Sequence, residues 1–248
     1  MTKNLLYLFF IIVISPLLVV YIFHYNDSFI EEVIQVPVFH KKFIEPPNPF
    51  IATSTDTMVL LNTPFVSEAP DGIWTGPWKN ACEEASIAMV ENFYKGVFVA
   101  DKNETKEFMK SLFSLQDEVY GSNANSDAKR SNYLIEQKAS FSGVIIENPT
   151  IEQIKEEIRG GRPVIAFHRG FDLHNENIPF LPTGSSFHST VVIGYDDSKN
   201  IFLVNDPGDK EIDEPHHYEY NLYMLSLRDY NYANNKADGP ARVIFTSS

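Results

Sequence analysis

The sequence contains a single cysteine, Cys82, in 248 residues. One thiol excludes an intramolecular disulfide and the cysteine clusters that hold structural zinc or iron–sulfur centres. A lone thiol is either a small buried hydrophobe or a reactive group, and its surroundings decide between the two.

Basic residues are also scarce. The chain has 20 lysines and arginines against 33 aspartates and glutamates, which gives a formal charge of -13. Such a surface repels phosphate backbones and lacks the basic stripe that nucleic-acid binding requires. We therefore expect no nucleic-acid partner.

Charges are absent from residues 5–23, a run long enough to cross a bilayer as a helix, which Pro16 would kink. No small-residue cleavage site follows it, so an uncleaved anchor is favoured over a signal peptide. Lys3 precedes the run and Asp27 and Glu31 follow it. The positive-inside rule then predicts a single-pass protein of the cell membrane, with a cytoplasmic N-terminus and an extracytoplasmic domain.

The segment after this run is rich in proline, which disfavours regular structure and favours extended chain. We predict an anchor with its N-terminal tip over residues 1–23, a stalk over 24–58 and one globular domain over 59–248. The prolines of the stalk are Pro37, Pro46, Pro47 and Pro49.

Hydrophobic periodicity in the domain changes from helical to strand-like along the chain. Helices are predicted near residues 81–96, 102–116, 127–138, 150–159 and 220–228. Strands are predicted in MVLLNTPF, PVIAFH, HSTVVIGY, NIFLVND and ARVIFT. Helices followed mainly by antiparallel strands indicate an α+β fold, with an N-terminal helical part packed on the sheet.

Cys82 lies where a helix is predicted to begin. Asn80 and Glu83 have the spacing of a capping box, which places the thiol in the first helical turn. The positive end of the helix dipole favours thiolate there, so we predict a pKa of Cys82 below the free value of about 8.5. Glu83 and Glu84 oppose this effect, so activation also requires a base.

His188 and Asp206 lie in two consecutive predicted strands joined by a short turn. Pairing of these strands brings the two side chains together, so that Asp206 orients the imidazole while its other nitrogen faces the thiol. The structural alternatives are a strand-edge histidine bonded to backbone and an aspartate that caps the turn before Pro207.

Other histidines and acids are weaker candidates. His168 is an alternative base, but no acidic strand partner follows it. Two further groups resemble metal ligands only in composition, and solvated loops explain them better. We predict no metal site and no cofactor. These two groups are Asp172, His174 and Glu176, and His216 and His217.

Three segments together resemble the C39-like peptidases of the papain-like cysteine peptidase clan: TPFVSEAP, ACEEASIAMV and FHSTVVIGYDDSKNIFLVNDPG. The resemblance covers about residues 59–230. It implies a papain-like fold, with Cys82 as nucleophile, His188 as base and Asp206 as the residue that orients it. It also implies a peptide or protein substrate. No G-x-x-x-x-G-K-[ST] loop occurs, so the export-ATPase role of some relatives is not supported.

Glu68 departs from the family pattern, in which a glutamine at this place donates a hydrogen bond to the oxyanion. A carboxylate cannot donate unless it is protonated. Either Glu68 is held neutral, or Asn80 or the Cys82 backbone N–H donates instead, or activity is weak. On the assumption that Glu68 occupies the glutamine's place, Glu68→Gln is expected to raise activity.

These observations leave three functions open. The first is a cysteine peptidase that cleaves peptide or amide bonds. The second is a catalytically weakened domain that binds peptides or cell-wall peptides without cleavage. The third is a structural surface domain in which Cys82 is buried and inert.

Overall fold

The chain divides into two units, Met1–Ile44 and Glu45–Ser248. The computed structural model describes residues 10–14, 17–21, 51–175, 178, 180, 186–209 and 214–248.

The described part of the first unit is a pair of antiparallel strands, β1 (Phe10–Ile14) and β2 (Leu17–Tyr21). The structure differs here from the transmembrane helix predicted over residues 5–23. Isoleucine and valine make up most of β1, and valine and tyrosine make up most of β2; these residues favour extended backbone, and Pro16 between the strands disfavours a continuous helix. No helix in the described residues is long and apolar enough to cross a membrane.

The second unit contains all five predicted helices, and each begins within one residue of its predicted start. Asp101 and Asp127 cap the second and third helices, and Thr150 forms a capping box with Gln153 at the fourth. The helices are α1 (Cys82–Tyr94), α2 (Lys102–Tyr120), α3 (Ala128–Lys138), α4 (Ile151–Arg159) and α5 (Tyr220–Ser226).

One antiparallel sheet of eight strands completes this unit. Its strands are β3 (Ile51–Ser54), β4 (Met58–Leu61), β5 (Ser142–Glu147), β6 (Val164–Arg169), β7 (Phe187–Asp196), β8 (Ile201–Asn205), β9 (His216–Glu219) and β10 (Arg242–Ser247). The main order is β3-β4-β7-β6-β10-β5, and β8 pairs with both β7 and β9. The predicted mixture of helices and antiparallel sheet is therefore confirmed.

Three of these strands were not expected. The strand β3 falls within the predicted stalk and pairs with β4, so the sheet begins before residue 59. The remainder of that segment, residues 24–50, lies outside the described residues. The other two are β5, which pairs with the distant β10, and β9, which pairs with the preceding β8; strands this short carry little periodicity of their own.

Helix α1 lies in the main hydrophobic core, and most of its residues are buried. It packs on β7, where the Ser189 hydroxyl donates to that of Ser86 at 3.1 Å. A helix buried on nearly all sides fixes the position of its first residue closely, because core side chains have little room to move. This packing places the N-terminus of α1 beside the start of β7.

Candidate active site

Cys82 is the first residue of α1, and its side chain is 3% exposed. The predicted capping box is wrong: the N-cap is Ala81, which makes no side-chain cap, and Asn80 ends a preceding 3-10 helix. Glu83 instead accepts hydrogen bonds from the Cys82 thiol at 3.0 Å and from the Ser126 backbone N–H. The Glu83 side chain therefore bonds the neighbouring thiol and the distant Ser126, and does not cap the helix as predicted.

His188 lies near the start of β7, and its Nε2 is 2.6 Å from Oδ1 of Asp206. The turn between β7 and β8 pairs the two strands antiparallel, as the sequence predicted. Asp206 directly follows β8 and is fully buried. Because Nε2 is engaged by the carboxylate, Nδ1 is the ring nitrogen left for the thiol.

Three groups that the sequence analysis missed also hold the Asp206 carboxylate. The Tyr218 hydroxyl donates to Oδ2 at 2.9 Å, and the Asn175 side-chain amide donates to the same oxygen at 3.2 Å. The Gly208 backbone N–H donates to Oδ1 at 3.1 Å. Burial would raise the pKa of Asp206, but His188, the Tyr218 hydroxyl and the Gly208 N–H outweigh it and lower that pKa to about 2. In the sequence, the turn after β8 was the one indication of a role for Gly208, and no pattern indicated a role for Tyr218.

Glu68 lies in the loop between β4 and α1, 8% exposed. Its backbone N–H donates to the Pro207 carbonyl at 2.8 Å, and the Ser67 hydroxyl donates to the Asp209 carbonyl at 2.7 Å. These two bonds fasten the Glu68 loop to the turn that carries Asp206. Glu68 is therefore a buried residue of the site and not a solvated loop carboxylate.

The structure brings three of the four predicted site residues into one cluster. One ligand atom each of Glu68, Cys82 and His188 lies within 4.8 Å of the other two. Asp206 joins through His188. Segments from the β4–α1 loop, α1, β7 and the end of β8 therefore meet at one point of the fold.

Burial raises the pKa of the Cys82 thiol well above its usual range, and the carboxylates of Glu83 and Glu68 raise it further. The lowered pKa predicted from the helix dipole is therefore wrong for this conformation. Removing a thiolate from water beside carboxylates costs more free energy than one helix terminus returns. The resting state is a thiol that donates to Glu83.

Glu83→Gln should accelerate alkylation of Cys82 by iodoacetamide, because it removes a negative charge 3.0 Å from the sulfur. A fall of one unit in the pKa of Cys82 multiplies the thiolate fraction near neutral pH by about ten. The measurement is the labelling rate against pH. Glu91→Gln is the control, since that buried carboxylate of α1 pairs with Lys95 and Ser140 instead. Equal rates in wild type and Glu83→Gln would contradict this role of Glu83.

The pKa values of Glu68 and His188 in this cluster are both raised. Burial raises the pKa of Glu68 to about 8, which His188 only partly offsets. Burial alone would lower the pKa of His188, but Asp206 and Glu68 outweigh it and raise that pKa above 6.5. At neutral pH the site thus holds a protonated Glu68 and an imidazole that readily accepts a proton.

The remaining candidates have structural partners. His168 lies opposite His188 across β6 and β7, but it is bonded to the hydroxyls of Ser226 and Thr190 and is fully buried. Its pKa is lowered to about 3, mainly by burial, so it is a core histidine and not the base.

In the two groups with metal-like composition, Asp172 and His216 have other partners. Asp172 pairs with Arg169, and Glu176 lies outside the described residues. His216 lies on β9, not in a loop, and bonds Asp209. This second His–Asp pair is half-buried next to the turn that carries Asp206.

Comparisons with known proteins bear on the family and the fold. The family model described as "Peptidase_C39 like family" matches residues 60–237. A provisionally assigned C39-like peptidase from Bacillus anthracis has a similar solved structure, with a TM-score of 0.50 and 15% identity. The match covers 78% of this chain and 98% of that one, and at this identity it shows the fold alone. A search of curated proteins found no match.

Proposed function

Because the chain belongs to the Peptidase_C39 like family, we propose that it is a cysteine peptidase that cleaves amide bonds of peptides or proteins. One observation carries the proposal: the Cys82 sulfur and the His188 ring lie within 4.8 Å, and the ring is bonded at 2.6 Å to Asp206. Nucleophile, base and orienting carboxylate are arranged in the order that a thiol hydrolase requires.

The proposed reaction is acyl transfer in two steps. His188 takes the thiol proton through Nδ1, and the Cys82 sulfur attacks the scissile carbonyl carbon. The imidazolium, stabilised by Asp206, protonates the leaving amine, and a thioester remains on Cys82. His188 then removes a proton from water, which attacks the thioester and releases the acid product.

Glu68 supplies the side-chain donor to the oxyanion in this proposal. The carboxyl lies in the same cluster as the thiol, and its pKa of about 8 keeps it protonated at neutral pH. A neutral carboxylic acid donates a hydrogen bond as an amide does. The Cys82 backbone N–H, in the first turn of α1, is the second donor.

Glu68→Gln is accordingly expected to change activity in a pH-dependent manner. Below about pH 7 both side chains donate, so kcat should be similar. Above pH 8 the wild-type carboxyl ionises, and the ratio of mutant to wild-type kcat should rise to about tenfold one pH unit above the pKa of Glu68.

The measurement is kcat against pH for both proteins, with KM as a control that should change little. The higher activity of Glu68→Gln that the sequence predicted is therefore expected only at alkaline pH. A ratio that is constant with pH would contradict the role of Glu68 as a protonated donor.

A second candidate function is peptide binding without cleavage. The 3% exposure of Cys82 and its raised pKa favour it, because a buried thiol is a weak nucleophile. Incubation of the full chain with a broad peptide library, followed by mass spectrometry, separates the two functions. Cleavage that iodoacetamide pretreatment abolishes supports the peptidase, whereas bound but intact peptides support the second candidate.

We also propose that the domain acts outside the cytoplasm. This location rests on the sequence of residues 5–23 and the charges beside it. Protease added to intact cells should digest the domain, with a cytoplasmic protein as the protected control. Digestion only after lysis would contradict the location.

A further inference from the structure

The cluster of Glu68, Cys82 and His188, which carries the proposed peptidase reaction, also has the composition of a metal ligand set. A thiolate, an imidazole and a carboxylate are the three ligand types that Zn²⁺ takes in proteins, and zinc sites with three protein ligands leave a fourth position open. One ligand atom from each residue lies within 4.8 Å of the others. A glutamine at position 68, as the family pattern has it, would supply no anionic ligand there.

The buried acidic residues around the cluster also favour a bound cation. Glu68 and Glu83 lie beside the Cys82 sulfur, Glu84 follows in the same turn of α1, and all three are buried. Among the described residues, no lysine or arginine forms an ion pair with any of the three. Glu84 Oε2 is also buried without a hydrogen-bond partner. A buried carboxyl that ionises needs a paired cation, and a divalent ion between Glu68 and the sulfur would supply one.

We propose that Cys82, His188 and Glu68 bind one zinc-type divalent cation, and that the bound cation excludes acyl transfer. Binding displaces the protons of the thiol and of the Glu68 carboxyl, and the ion neutralises both resulting charges. The sulfur lone pair then lies on the metal and cannot attack a carbonyl.

The geometry requires only a small adjustment. Tetrahedral zinc, with bonds of 2.0–2.3 Å, needs neighbouring ligand atoms roughly 3.3–3.8 Å apart. The cluster already lies within 4.8 Å, so shifts of about 1 Å would close it on the ion. The Asp206 hydrogen bond to Nε2 fixes the ring with Nδ1 free, as outer carboxylates do for zinc-bound histidines.

Cobalt titration of the full chain tests the site without reference to peptidase activity. Co²⁺ takes the place of zinc, and a bound thiolate produces a charge-transfer band. We expect one equivalent to bind with this band, Zn²⁺ to displace it, and Mg²⁺, which prefers oxygen ligands, to leave it unchanged. In Cys82→Ser the band should disappear.

Comparison of Glu68→Gln with Glu83→Gln shows whether Glu68 binds the metal directly or only attracts it as a nearby acidic group. Both replace one buried carboxyl group near the sulfur by an amide, but only Glu68 belongs to the ligand cluster. Glu68→Gln should weaken Co²⁺ binding about a hundredfold or more, since loss of even an outer partner costs about 10–100-fold. Glu83→Gln should weaken it by less than about tenfold.

Thermal unfolding of each variant shows that it is folded. Equal weakening by the two variants would overturn Glu68 as a ligand. A folded wild type that binds neither Co²⁺ nor Zn²⁺ would overturn the site, whereas the peptidase proposal would be unaffected.

Discussion

Replacing Cys82 by alanine is expected to lower kcat for any cleaved peptide by about a millionfold, the usual cost of removing the nucleophile of a hydrolase triad. No second thiol exists in the chain to replace it. Alanine fits the space of the buried side chain and is a good helix former, so α1 should be retained. The measurement is kcat on a peptide that the wild type cleaves, with circular dichroism to show an intact fold.

Cys82→Ser is the matched control, because it keeps the size of the side chain and a donor to Glu83. It should be nearly as inactive as Cys82→Ala, since the hydroxyl is a much poorer nucleophile than the thiol at the same pH. Residual activity of Cys82→Ala within a hundredfold of wild type would mean that another group performs the attack.

Asp206→Asn is expected to lower kcat by about ten-thousandfold, as loss of the orienting carboxylate does in comparable triads. The two carboxylate oxygens accept from His188 and Gly208 on one side and from Tyr218 and Asn175 on the other. An amide has one acceptor oxygen, so its NH₂ must face one pair of donors. The imidazolium also loses its counter-charge.

Nuclear magnetic resonance of the His188 ring gives a second measurement of the same change. Its pKa is raised by Asp206 in the wild type and should fall in Asp206→Asn. Asp209→Asn is the control, because that carboxylate bonds His216, and it should change kcat by no more than a few fold. An unchanged kcat in Asp206→Asn would remove Asp206 from the mechanism.

The sequence predicted elements whose signals are local. Helices α2, α3 and α4 each begin after a residue whose side chain caps them, and such caps can be recognised from a few letters. Strand β9 could not be predicted in this way, because its four residues, HHYE, depend on β8 for their conformation. Tertiary pairing, not propensity, creates such a strand.

The candidate site shows the same division. His188 and Asp206 could be brought together from the sequence because one short turn joins their strands. The protonation states of Cys82 and Glu68 could not be predicted from the sequence, because they depend on burial and on carboxylates from separate segments. Ser126, 43 residues beyond Glu83, removes that side chain from the predicted capping box.

The order of the site residues along the chain has a consequence for biosynthesis. Cys82 leaves the ribosome about a hundred residues before His188, and Asp206 follows later still. Contacts between such distant segments form only after β7 and β8 have been synthesised and paired. Until then the thiol has no base, and the nascent chain carries an ordinary cysteine. The arrangement proposed for hydrolysis is therefore incomplete in the growing polypeptide until these strands are paired.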